Sequence, residues 1–251
     1  MIRVLMVVTI GLAITSVGVN AQDRPADNPG PNANIAHWAA GKHVFRTIGD
    51  HRPRGEEHFR LSVHPDGTRT MMIWKDLSAR NSHLHIVMRV EPSFRPLEAY
   101  GNYWQPDGYK GSIRVTVDGD QLHAVGWGPD GLGEHTLKVP ENLALVTHGE
   151  GLNAWAVWGD YQPGEQKPVV AYNISPVRNA TAPVLGSLFQ GKVTFIGEET
   201  ITTPAGTFET LHSSNDFMDV WSTKEDRILV LQQIKGPGLE YVLVELETGP
   251  D

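Results

Sequence analysis

From about residue 55 onward, apolar and polar residues alternate in short runs separated by Gly, Pro, Asp and Asn. Phe59-Arg60-Leu61-Ser62-Val63 alternates strictly, turns at His64-Pro65-Asp66-Gly67, and returns through Thr70-Met71-Met72-Ile73-Trp74. A period of two places successive side chains on opposite faces, so these runs predict half-buried strands. Residues 82–90 and 97–104 continue the pattern, and 110–117 and 121–127 flank Asp118-Gly119, the strongest short hairpin signal. Further along, Val193-Thr194-Phe195-Ile196 leads to Ile201, Thr203-Pro204-Ala205-Gly206 turns, and 207–211 returns. Residues 217–221 and 227–234 flank the charged turn Thr223-Lys224-Glu225-Asp226, and Gly236-Pro237-Gly238 reverses the chain into 239–246.

The pattern weakens in two places. Residues 128–183 are less regular, and within them 143–158 reads as a helix with Leu145, Leu152, Trp155 and Trp158 on one side, although Gly149 and Gly151 oppose it. Residues 35–41 suggest at most a short amphipathic turn of helix. The expected fold is all-β: a single curved or closed antiparallel sheet, barrel-like or half-barrel, with one or two short helices.

The N-terminus has a different character. Arg3, the apolar run 4–14 and Val19-Asn20-Ala21 have the layout of a secretory signal ending before Gln22. The apolar run is too short to span a bilayer, and no later run is longer, so stable membrane insertion is not expected. Residues 1–21 are therefore expected to be a signal peptide, 22–54 a polar N-terminal segment and 55–251 a β-barrel-like domain, periplasmic or secreted after cleavage.

Composition narrows the partners. The chain has no Cys, which removes disulfides and thiol chemistry, and 40% hydrophobic residues suffice for one self-supporting core. Its net charge is −8, with scattered basic residues, so nucleic acid is not an expected partner.

In the second half, Gly197-Glu198-Glu199, Thr203-Pro204-Ala205-Gly206-Thr207-Phe208-Glu209, Asp219-Val220-Trp221 and Asp226-Arg227-Ile228-Leu229-Val230 resemble a family of exported bacterial β-rich proteins of unknown function. There a G-x-E, P-A-G-x-F and V-W run ends a barrel-like or half-barrel sheet. The likeness extends through Arg95-Pro96-Leu97 and His64-Pro65-Asp66-Gly67-Thr68. The broader shape is similar to lipocalins and to periplasmic lipoprotein carriers, whose curved sheets hold apolar ligands. The resemblance implies a fold and carries no catalytic residues.

Candidate chemistry comes from the eleven histidines and the aromatic residues. His83 and His85, two apart on a strand, share a face with Arg89, and His58, Arg60, Ser62 and His64 share one on a neighbouring strand. Facing inward, they would line a cavity able to bind an anion or move protons, with His83 and His85 as acid and base and Arg89 or Arg60 holding an oxygen. Facing outward, they are a solvated sheet surface. Glu198 with Glu199, or Asp216 with Asp219, are further carboxylate pairs. His-x-His lacks a third ligand fixed by spacing, so no metal or other cofactor is expected. Tyr100, Tyr103, Trp104, Tyr109 and Trp127, with His123 nearby, and Trp155, Trp158 and Tyr161 supply amphipathic contact area. The functional expectation is an exported protein that binds an apolar or aromatic small molecule in the concavity of its sheet. The alternative is a cofactor-independent isomerase, lyase or hydratase using histidine acid/base chemistry.

Overall fold

Phe59, Leu61 and Val63, then Met71 and Ile73, then Leu84, Ile86 and Met88 are buried, while the residues between them are exposed or half-buried. One face of each strand thus joins a common interior, as the alternation requires. The computed structural model describes residues 35–77, 82–105, 108, 110–129, 131–156, 162–174 and 185–250. The signal-like segment 1–21, Tyr109, Trp158 and Tyr161 lie outside the described residues.

The strands are β1 (His37–Thr47), β2 (Pro53–Val63), β3 (Arg69–Leu77), β4 (Ser82–Val90), β5 (Pro96–Trp104), β6 (Lys110–Asp118), β7 (Gln121–Gly128) and β8 (Gly131–Lys138). They continue with β9 (Leu143–Val146), β10 (Gln166–Asn173), β11 (Ser187–Thr203), β12 (Gly206–Ser214), β13 (Met218–Thr223), β14 (Leu229–Ile234) and β15 (Leu239–Pro250). A single helical turn, α1 (Glu150–Asn153), and a 3-10 turn, Ala154–Ala156, follow β9. Together the strands form one 15-stranded sheet in the order β8-β7-β6-β5-β4-β3-β2-β1-β15-β14-β13-β12-β11-β10-β9. Neighbours are antiparallel except β9 and β10, which run parallel.

The sheet is curved but open. Its ends meet through side chains: Tyr103 on β5 donates to the Ile174 carbonyl at 2.7 Å, and His135 on β8 lies 2.8 Å from the Tyr172 hydroxyl on β10. An apolar core of Ile86, Ile113, Val115 and Leu122 from the first half packs against Leu143, Leu145, Leu152, Trp155 and Tyr172 from β9, the helical turns and β10. Burial of this kind stabilises by about 25 cal/mol per Å² of apolar surface.

Two local expectations differ from the structure. Residues 35–41 enter a strand and not a helical turn: β1 lies between β2 and β15, in the middle of the sheet. Strand β1 and the start of β2 thus fall within residues 22–54, the stretch that the sequence marks as polar. The strand was hidden because its inward register carries Gly41 and His43 between Ala39 and Phe45. Residues 143–158 do not form one helix. Residues 143–146 pair with β10, and Gly149 takes an extended conformation where a helix would continue. A Cβ there would lie 3.0 Å from Thr147 Oγ1 and 3.2 Å from the Ile73 side chain, a tight fit that glycine relieves.

Candidate functional site

Adjacent strands place three polar residues in apolar registers. His43 pairs with Glu57, and Glu57 pairs with Lys75, all on the inward face. Each is essentially inaccessible, at 1%, 0% and 0% exposure. Their partners come from the second half of the chain. Glu57 Oε2 accepts the backbone N–H of Glu150 and Oε1 that of Gly151, both at 2.8 Å, so one carboxylate seats the start of α1. Lys75 Nζ donates to the His148 carbonyl and, at 3.2 Å, to Glu150 Oε1; it lies 3.6 Å from Glu57 Oε2 and 4.4 Å from the centre of the Tyr241 ring. Glu150 Oε2 accepts from Asn153 Nδ2 at 2.8 Å and Gln232 Nε2 at 2.9 Å.

His43 Nε2 lies 2.8 Å from the Leu229 carbonyl, which can only accept, so this nitrogen carries a proton. Its Nδ1 is 3.5 Å from Glu57 Oε1 and, like Gln232 Oε1, is buried without a hydrogen-bond partner. Burial would raise the Glu57 carboxyl, but the Lys75 charge, His43 and the Gly151 N–H together hold it below the ordinary carboxylate range. For Lys75, burial opposes the charge, and Glu150, Tyr241 and Glu57 outweigh it and lift the ammonium above the ordinary lysine value. Burial raises the Tyr241 phenol.

The side of this cluster that carries Glu150 borders a cavity of about 570 Å³ lined by residues of β1 and β9–β15. Glu150, Gln232 and Tyr241 line it at the base; Phe45, Val193 and Val220 contribute apolar wall. Phe189 and Phe217 also line it and are 43% and 70% exposed, which places them toward its opening. The Tyr241 ring stacks on Phe45 with centroids 4.4 Å apart.

Of the residues expected from sequence, Asp216 lines this cavity, and the described histidines, arginines and aromatic residues lie elsewhere. His83, His85, Arg60 and Arg89 are on the outward face: His83 is 3.7 Å from Asp76, and Arg89 pairs with Glu98 at 2.7 Å. His85 stands between Trp74 and Trp104, with ring centroids 5.8 and 5.2 Å away. Tyr100, Trp127 and His123 share that outward face, His123 at 3.0 Å from Glu134. Tyr103 and Trp155 are buried in the apolar core, at 1% and 2% exposure, so the described members of the aromatic set do not converge on one pocket. Glu199 and Asp219 meet at His212, which stacks on Trp221 and lies 2.9 Å from Glu199 and 3.4 Å from Asp219. Among the described residues, no group of three His, Asp or Glu side chains is placed to hold a metal ion.

No family model matches the chain, and no curated protein does either. Two solved structures are similar in outline. One is a DUF1089 family protein from Pseudomonas aeruginosa, 11% identical, covering 69% of this chain and 87% of its own, with a TM-score of 0.39. The other is a candidate exported protein with a YmcC-like fold from Bacteroides fragilis, 8% identical, covering 85% of this chain and 96% of its own, with a TM-score of 0.29.

Proposed function

We propose that this is an exported protein that binds an apolar or aromatic small molecule in the cavity enclosed by β1 and β9–β15. The observation that carries the reading is the cavity itself, about 570 Å³ with largely apolar walls and a polar base. Ligand sites typically span roughly 300–1,000 Å³ and combine apolar walls with a few fixed polar groups. The signal-like pattern of residues 1–21 supports export.

Native mass spectrometry of the exported protein tests both parts. The expected species is a chain beginning at Gln22 that carries a noncovalent small molecule, or takes one up from a panel of apolar and aromatic metabolites. Ala171→Phe, which projects a ring from a buried cavity-lining position, should abolish uptake, whereas His83→Ala and His85→Ala on the outer face should leave it unchanged. A retained N-terminus removes the export reading. A panel that leaves mass and melting temperature unchanged removes the binding reading.

A further inference from the structure

Gln232 is fully buried at the cavity base, and the orientation of its amide is set by its neighbour. Nε2 lies 2.9 Å from Glu150 Oε2; the reversed amide would set a carbonyl oxygen against a carboxylate. Oε1 is therefore the free end, and it has no hydrogen-bond partner. Buried acceptors are rarely left unpaired in folded proteins, because the lost hydration is not recovered.

The charges around it are already matched. Glu150 Oε1 receives Lys75, and Oε2 receives both Asn153 and Gln232. Lys75 is committed to Glu150 and the His148 carbonyl, beside Glu57. The base thus offers a neutral acceptor. A ligand carboxylate would meet Glu150 there, while a cation is not needed to balance it. Beside Gln232 in register stands Tyr241, whose ring is stacked on Phe45 and lies under the Lys75 ammonium, and the apolar lining of the cavity continues through Val193 and Val220.

Building on the binding reading above, we propose that the cavity selects an apolar molecule ending in a hydroxyl group, which donates its proton to Gln232 Oε1. The carbon skeleton lies along the apolar wall to which Phe45, Val193 and Val220 contribute, and the hydroxyl supplies the donor that the buried amide lacks.

The test is calorimetric titration of the full mature chain with decanol, decyl methyl ether, decanoate and decylammonium, probes that share one tail. Decanol should bind about tenfold tighter than the ether, the size expected for one buried acceptor gaining its partner, and decanoate should bind more weakly than the ether. In Gln232→Met the advantage of decanol over the ether should fall to within about twofold. Equal binding of decanol and ether to the wild type overturns the proposal, leaves the binding reading intact and requires no variant to fold. Decylammonium binding more tightly than decanol overturns it in favour of recognition by Glu150. If none of the four binds while other apolar metabolites do, the hydroxyl assignment is wrong; if nothing binds at all, the cavity reading falls and this one with it.

Discussion

At the scale of single residues, the most consequential group is Lys75. Its side chain is 1% exposed, between two carboxylate side chains that are 0% and 9% exposed, so its charge is what permits theirs. Removing one member of a buried ionic group leaves the others unpaired, at a cost of about 3–5 kcal/mol. Lys75→Met, which keeps the carbon stem, should therefore lower unfolding free energy by about that amount. Urea denaturation at neutral pH would show it, and a loss under about 1 kcal/mol would mean that the cluster is not a stabilising unit. The same group sets a pH profile. The folded-state Glu57 carboxyl is lowered by its partners despite burial, so its contribution is complete above the ordinary carboxylate value of about 4.3 and is lost as pH falls below it. Lys75 and Tyr241 are raised in the folded protein, so their contributions are complete below about 10 and are lost as pH rises beyond it. This cluster's contribution should be flat between these limits and fall on both sides, and Lys75→Met should remove the lysine's share of the alkaline fall while leaving that of Tyr241.

At the scale of elements, what holds β1 in the centre of the sheet is a close fit as well as hydrogen bonds. A Cβ at Gly41 would lie 2.5 Å from the Glu245 carbonyl oxygen and 2.7 Å from the Phe59 ring, on strands to either side. Gly41→Ala should thus force β1 away from a neighbour and destabilise by about 1–3 kcal/mol. Gly49→Ala, where nothing lies within 4 Å, should be close to neutral in the same thermal melt. Equal effects would show that backbone freedom, and not crowding, governs Gly41. The element pattern was legible wherever a strand alternates cleanly, as 59–63 does against 70–74, because one face meets the core and the other meets water. It failed where the core itself is polar. Glu57 stands in register with Phe59 and Leu61, and Lys75 with Met71 and Ile73, yet a charge flanking an apolar run reads as the limit of a strand. His43 hid β1 in the same way. Three adjacent strands each carrying a polar residue in the apolar register was the available signal, but pairing them requires the sheet order, which one sequence does not supply. Which face the histidines and tryptophans take is likewise a property of curvature: Trp74 and Trp104 stand outside because their alternate partners already fill the inside.

At the scale of the whole molecule, the two halves of the sheet complete one another. Strands β2–β8 follow one another as hairpins, and so do β10–β15; the backbone ladder between these sets runs through β1, which pairs with β2 on one side and β15 on the other. The inner face of the first half is then covered by Leu143, Leu145, Leu152, Trp155 and Tyr172, all from beyond residue 138. A fragment spanning 35–138 keeps all the hairpins of β1–β8 but leaves Ile86, Ile113, Val115 and Leu122 without their cover and β1 as a free edge. It should remain β-rich by far-UV dichroism yet melt without cooperativity, bind a hydrophobic dye and aggregate, because local pairing alone does not bury that face. Co-refolding it with a fragment spanning 139–250 should restore a cooperative melt, since β1 against β15, the Glu57 and Lys75 bonds to residues 148–151, and the apolar cover all form between the two pieces. Cooperative unfolding of 35–138 on its own would show that the first half is an autonomous domain. In that case the buried cluster would only join two finished units. If the pair alone folds, the cluster and the cavity above it are products of the same closure, and ligand binding should appear only when both fragments are present.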